Sequence, residues 1–470
     1  MSRTLTSLTA LSTLTFAAVL VAPTVHAASD IDGDGFDDIL IGARRADHTA
    51  AGGGVAAISL GSAAMAPGAL LDPQVDVDAR AGTAVAFGDF NCDGDVDYAM
   101  GAPLDASEEG RVYVYMSTAN GHALETYYRA NFSQEAADQA PGDHFGRALA
   151  VADFDGDGCD DLAIGAPKAA SDGDHTGIVH VAKGQPSGLI RWRNLRPGIT
   201  GEEKYGFSLT AGDLDDDGVP DLLISAPMAD EGAIPKVGYV ELRHFDQATD
   251  SFDGAGNRLS ACDASAIGCN AADSERWFGW ASAIGDFDGD GVTDVAVGRP
   301  GEEGQGWTGQ VMVFDGASGH TSVELLALGG GSDLFGQALA AGDVDGDGSD
   351  DLVIGSPLTT LAGGPLETGA AFVVRDALTT VDVLSPEDVS TPTADKQKFG
   401  AAVALGNFYG GGLDLVVGAS RAKDSGGVRS GGVYTFSNSA GTMSGFGMIT
   451  LDAWVPAPNA GAIFGSAIAQ

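Results

Sequence analysis

Apolar residues in this chain fall in short runs of about four to eight, rich in Val, Ile, Leu and Ala and punctuated by Gly, Pro and Asp. No segment sustains a 3.6-residue period, so the pattern predicts strands and an all-β fold. The clearest stretch, FGRALAVADFDGDGCDDLAIGAP, opens a group of four predicted strands: Arg147 to Ala152, Asp161 to Ala166, Gly177 to Lys183 and Leu189 to Leu195. A single four-stranded sheet cannot bury both faces by itself, so it needs neighbours of the same kind.

Those neighbours are present. Between the first two strands, Asp153, Asp155, Asp157 and Asp161 stand at relative positions 1, 3, 5 and 9, with Gly158 at 6. Equivalent sets are Asp30, Asp32, Asp34 and Asp38; Asp89, Asn91, Asp93 and Asp97; Asp213, Asp215, Asp217 and Asp221; Asp286, Asp288, Asp290 and Asp294; and Asp343, Asp345, Asp347 and Asp351. A seventh copy around Asn407 keeps the flanking strands but loses the acids, and is expected to hold no metal. The first positions are separated by 59, 64, 60, 73, 57 and 64 residues, a period that covers the whole chain and signals a repeat architecture.

Seven four-stranded antiparallel units fit a seven-bladed β-propeller, whose ring leaves only short strand edges exposed. A linear β-solenoid is the alternative, but its repeats are usually much shorter. The ends of the chain point to a closed ring. Phe145 precedes Asp153 by eight residues, and joining Gln470 to Ser29 would place Phe464 eight residues before Asp30. The C-terminal strand is therefore expected to complete the first blade, in one propeller spanning residues 28–470.

Carboxylates crowded at this spacing repel one another unless a cation lies among them, and an all-oxygen set suits Ca²⁺. An EF-hand begins in the same way but needs a Glu at position 12 and flanking helices. Position 12 here is apolar: Ile41, Met100, Ile164, Ile224, Val297 and Ile354. Up to six Ca²⁺ ions are expected, each on side chains at positions 1, 3, 5 and 9 and the carbonyl at 7, with water completing the shell.

Residues 1–27 carry Arg3, an apolar segment from Leu14 to Ala22 and a Val25-His26-Ala27 cleavage signal, the pattern of a secretory signal peptide. No later run is long enough for a spanning helix, so an exported protein without membrane insertion is expected, secreted or at the cell surface. The 24 basic and 66 acidic residues give a net charge of −42, which argues against nucleic acid and anionic membranes as partners. Four cysteines fit an oxidising compartment. Cys262 and Cys269 are expected to form a local disulfide, whereas Cys92 and Cys159, in consecutive loops, are left open.

Phe-Gly pairs at 145–146, 278–279, 335–336, 399–400 and 464–465, with Gly-Ala-Pro stops at 101–103 and 165–167, resemble FG-GAP repeats, the motif of the propeller in integrin α subunits. The resemblance implies calcium loops on the lower face, between the first and second strands of each blade, and a ligand surface on the upper face. The chain departs from the pattern at Asn91, at Tyr205-Gly206 with Ser-Ala-Pro, and at Gly-Arg-Pro in the fifth repeat.

No HExxH, Cys/His zinc spacing, G-x-S-x-G or P-loop occurs, and His175 and His180 read as surface residues. The segments after each Gly-Ala-Pro stop should emerge on the upper face. They carry Arg44, Arg45, Lys168, Lys236, Trp307, Arg421 and Lys423 as candidate ligand contacts. The expected function is an adhesion or recognition module for an extracellular protein or glycan. The alternatives are a structural scaffold of the envelope or matrix, or a hydrolase with an unrecognised site. A glycosylphosphatidylinositol-cleaving phospholipase also carries such blades, beside a separate catalytic domain.

Overall fold

The computed structural model describes residues 30–469 except 47–50, 63–64, 120, 133–141, 171–174, 199–202, 255–256, 263–274, 302–307, 329–332, 362–365, 390–395, 424–426, 440 and 455–461. The expected signal peptide, Trp307 and Cys269 lie outside the described residues.

The chain is all-β: seven four-stranded antiparallel sheets follow one another as the blades of a propeller, with one small two-stranded excursion at Phe245–Asp246 and Ser251–Phe252. The inner strands are Ile463–Ala469, Ala84–Gly88, Leu149–Ala152, Leu209–Gly212, Ser282–Gly285, Ala338–Gly342 and Phe399–Gly406, for blades 1 to 7 in turn. Blade 1 is closed by the chain's last strand: Ile463–Ala469 pairs antiparallel with Ile39–Arg44, with Ile468 opposite Ile41 and Ile463 opposite Arg44.

In blade 3 the second strand, Asp161–Ala166, falls as the sequence predicts, but the inner strand begins at Leu149 rather than Arg147. Both Gly146 N–H and Arg147 N–H donate to Gly165 O, so the chain bulges there and the regular ladder starts two residues later. The outer strands, Ile178–Lys183 and Ile190–Leu195, each begin one residue after the predicted start.

The Phe-Gly and Gly-Ala-Pro elements join one blade to the next. The aromatic residue is fully buried in each case, as with Phe145, Tyr205, Phe278, Phe335, Phe399 and Phe464. Its backbone N–H reaches back to the preceding blade: Phe145 to Glu109 O at 3.0 Å, Tyr205 to Thr176 O at 2.9 Å, and Phe464 to Ser430 O at 3.0 Å across the closure. Gly165, of the Gly-Ala-Pro stop, lies against Gly206, the glycine of the Tyr-Gly pair in blade 4. A Cβ on Gly165 would stand 2.1 Å from Gly206 O, so only glycine permits this approach.

A second set of links lies at the acid loops. Asp37 N–H donates to Asn407 O at 3.0 Å, and Asn407 N–H returns to Asp37 Oδ2 at 2.7 Å, tying blade 1 to blade 7. Asp160 with Asp89, and Asp350 with Asp286, repeat this exchange between blades 2 and 3 and blades 5 and 6. Cys92 and Cys159, left open by the sequence, form a disulfide with Cα atoms 4.9 Å apart, so blades 2 and 3 are also joined covalently. Cys262 is disulfide-bonded as well.

Deleting residues 463–469 strips the inner strand from blade 1 and bares the edge of Ile39–Arg44, an invitation to edge pairing. The truncated chain is expected to melt several degrees lower and to associate in a concentration-dependent manner by size-exclusion chromatography. A stable monomer would show that the ring does not depend on this pairing.

Candidate functional site

Each acid loop is built around its own backbone. The position-1 carboxylate accepts the N–H groups of positions 5 and 6, as when Asp153 takes Asp157 N–H at 3.0 Å and Gly158 N–H at 2.8 Å. The same pair of bonds recurs at Asp30, Asp89, Asp213, Asp286 and Asp343. The position-5 carboxylate accepts the N–H of position 7, from Asp157 to Cys159 at 3.0 Å for example. The turn is therefore shaped by its acids, and their other oxygen lone pairs remain to face a cation.

The position-9 carboxylate has a different duty. Asp38, Asp97, Asp161, Asp221, Asp294 and Asp351 are buried, and each accepts the N–H of loop position 2 at 2.7 to 3.1 Å. Five of them also accept an N–H from the end of the third strand: Gly61, Ser117, Gly184, Phe245 and Gly316, at 2.5 to 2.9 Å. The seventh repeat, expected to lose its acids, retains this one. Asp414 is buried and accepts from Tyr409 N–H and Asn438 N–H, both at 2.7 Å, in a loop one residue shorter. A carboxylate kept where positions 3 and 5 are Tyr409 and Gly411 serves the fold first.

In four of the loops the acids come together. Ligand atoms of Asp30, Asp32 and Asp38 lie within 4.8 Å of one another, as do those of Asp153, Asp155 and Asp161, of Asp213, Asp215 and Asp217, and of Asp286, Asp288 and Asp290. In the second loop Asn91 Nδ2 is held by Ser117 O and Oγ at 3.2 Å, which fixes the amide and leaves Asn91 Oδ1 on the loop side, where it accepts Asp93 N–H. An oxygen donor thus replaces the usual carboxylate. Donor type, number and spacing fit a hard divalent cation.

The loops differ in what stands beside them at the end of the third strand, which the sequence reading missed. Blades 1 and 2 place Leu60 and Met116 there, and blade 5 adds an acid, Asp315. In blade 3, Lys183 bonds to Asp155 and lies 2.8 Å from Asp157 Oδ2. In blade 4, His244 Nδ1 is 3.0 Å from Asp221 Oδ2 and 3.5 Å from Asp215 Oδ2. In blade 6, Arg375 Nη1 is 3.8 Å from Asp345 Oδ2. Three loops therefore carry a basic side chain of the protein at the place where a cation would relieve repulsion. The loops of blades 1 to 3 meet over a cleft of about 490 Å³ lined by Asp30, Asp32, Asp89, Asp95, Asp153 and Asp160, so the lower face is strongly acidic here.

The described candidate upper-face residues differ in exposure. Arg421 and Lys423 are exposed on blade 7. Lys236, on blade 4, is exposed and 3.5 Å from Glu275. Lys168 lies 3.1 Å from His144 Nε2, Arg45 is half-buried, and Arg44 is buried. His180 is also buried rather than on the surface; it meets Phe145 edge-on at 5.6 Å and bonds through Nδ1 to Asn194 Oδ1 at 2.8 Å. No helix among the described residues is long and apolar enough to cross a membrane.

The sequence profile of the FG-GAP repeat matches residues 22–58, 81–115, 145–181, 205–240, 278–314 and 335–374. Integrin alpha pat-2 of Caenorhabditis briggsae is 33% identical over 237 residues, covering 46% of this chain and 18% of the relative. Integrin alpha-5 of Xenopus laevis is 28% identical over 285 residues, covering 55% and 24%. Phosphatidylinositol-glycan-specific phospholipase D of Rattus norvegicus is 32% identical over 219 residues, covering 43% and 24%. The chain spans less than a quarter of the length of each of these relatives.

Burial pushes Asp38, Asp97 and Asp294 up to about 6, Asp351 up to about 7 and Asp161 up to about 8. A carboxyl whose pKa is raised by folding favours the native state below its unfolded value, and that contribution is lost as pH rises through the folded value. In chelator-treated protein the melting temperature is therefore expected to fall between about pH 5 and pH 8. A profile that rises over this interval would mean that these carboxyls are not protonated by burial.

Proposed function

Because this chain is an FG-GAP repeat protein whose propeller resembles that of integrin α, we propose that it is an exported, calcium-stabilised recognition module that binds a protein or glycan through its upper face. The observation that carries the metal half of this proposal is the set of oxygen donors preshaped by main-chain bonds in six loops, with ligand atoms converging within 4.8 Å in those of blades 1, 3, 4 and 5. Positions 1, 3 and 5 would hold Ca²⁺ with help from position 9, and the ion would neutralise carboxylates that otherwise repel. Similarity to integrin α, together with the acidic lower face, supports recognition at the opposite end.

The loops are not equal in this scheme. Among the described residues those of blades 1, 2 and 5 have no basic competitor at the third-strand end, and in blade 5 burial, then Asp290 and Asp315, raise the pKa of Asp288. Lys183, His244 and Arg375 act as built-in counter-ions, which calcium must displace or share. The phospholipase relative keeps a hydrolase in view, so the functional test needs an activity arm.

Excess EGTA is expected to lower the melting temperature, since at ten times Kd each independent site contributes about 1.4 kcal/mol. A melting curve unmoved by EGTA, with no calcium in the purified protein, would remove the metal from this proposal. Lys183→Met is expected to tighten calcium binding at the third loop by about tenfold or more, seen by calorimetry as an added or strengthened site. On an array of glycans and surface proteins, replacing Arg45, Lys236, Arg421 and Lys423 with Ala should abolish binding, whereas Ser187→Ala with Thr321→Ala on lower-face turns should not. Loss in the lower-face variant alone would reverse the face. Turnover of a phosphatidylinositol-glycan substrate by the intact chain would replace recognition with hydrolysis.

A further inference from the structure

The upper mouth of the propeller holds positive charge that the described residues do not neutralise. Arg44 ends the second strand of blade 1, and Arg147 stands two residues before the inner strand of blade 3, so both lie at the upper end of their blades. Their exposures are 3% and 6%. Neither forms a hydrogen bond or ion pair with any described residue, and Arg44 Nε and Arg147 Nη2 are buried without an acceptor. Arg80, just before blade 2, joins them: Arg44 is pushed down by burial first and then by Arg147, Arg80 and Arg45. Asp78 and Glu108 act on Arg80, not on the two buried guanidinium groups.

An arginine remains charged in a protein, and a buried charge without a partner is strongly unfavourable. Even after burial Arg147 titrates only at about 10. An anion is the missing component. The ring of Phe207 lies 4.2 Å from Arg147 Cζ and covers one face of the guanidinium. Stacking of this kind leaves the in-plane N–H groups as the open edge, the fork that a carboxylate meets with parallel bonds. Behind Phe207, Trp280 follows at 4.7 Å and Trp277 at 5.1 Å from Trp280, a packed wall that holds the stack in place.

We propose that Arg44 and Arg147 form a carboxylate-binding site at the upper mouth, filled by an Asp or Glu side chain that a partner protein inserts from the upper face. A protein source is favoured over an acidic glycan because the two groups are nearly closed to solvent. The carboxyl of a sugar acid sits directly on a bulky ring, whereas that of Asp or Glu stands off its backbone on one or two methylenes. The proposal rests on the recognition reading for its partner, but the site itself needs no calcium.

The test uses the full calcium-loaded chain. Acetate, a Gly-Glu alternating peptide, its Gln counterpart and a polyuronate are titrated against it, with melting temperature and calorimetry as readouts. Acetate and the Glu peptide should raise the melting temperature; the Gln peptide should not. Arg44→Met and Arg147→Met should each weaken binding of the Glu peptide by about 30-fold or more. Their own anion-free melting temperatures should not fall below that of the parent, because a buried charge has been removed. Should either Met variant fail to fold, Arg147→Lys keeps the charge but loses the fork, and should bind acetate while losing most of the peptide affinity. Calcium-dependent stabilisation should persist in all variants, so failure here is separable from failure of the calcium reading. Unchanged Glu-peptide binding in the variants overturns the site. Binding of polyuronate but not peptide overturns the protein source, and equal stabilisation by acetate and chloride with no peptide binding would mean an adventitious ion only.

Discussion

A buried carboxylate at the base of each blade is the constraint from which the rest follows. Its two oxygens bond to N–H groups at the start of the loop and, in five of the acid loops and at Asp414, at the end of the third strand, so it fixes three segments at once. A charged group in so enclosed a place is tolerated only when its hydrogen bonds are made or its charge is offset. The loop acids at positions 1, 3 and 5 then crowd around this buried carboxyl. Blade 7 shows the separation of roles: Asp414 remains while the crowding acids are gone, and the blade still forms.

From this base the blades are joined at both ends. Above, buried aromatic residues and close glycine contacts carry main-chain bonds from blade to blade. Below, reciprocal bonds of Asp37, Asp160 and Asp350 do the same at three of the junctions. The two ends differ, with carboxylates converging on the lower cleft and the buried Arg44 and Arg147 at the upper ends of their blades. A chain with a net charge of −42 thus still has a locally basic sector, which is a matter of placement and not of composition.

The repeat, the blade count and the closing strand were legible in the sequence because each rests on spacing: a period near 60 residues, and acids at fixed offsets from apolar runs. The strand Asp161–Ala166 was read to the residue, since its ends are marked by an acid and by Gly-Ala-Pro. What was missed depends on neighbours distant along the chain. Lys183 stands 26 and 28 positions after the acids it meets, and only the return of the third strand brings it there. Arg147 carries no signal of its own beside Phe145-Gly146; its isolation appears once the blades are set side by side. Asp414 was overlooked because its loop is one residue short and breaks the register of the motif.

The pairing of Ile463–Ala469 with Ile39–Arg44 also orders events in time. During synthesis the first blade lacks its inner strand until residues 463–469 have been made, while blades 2 to 7 take all their strands from contiguous stretches of chain. The nascent protein is therefore an open arc, whose first three strands wait for the last. Ring closure reports that synthesis has passed residue 469, and a product terminated before that point remains unclosed whatever the state of its other blades.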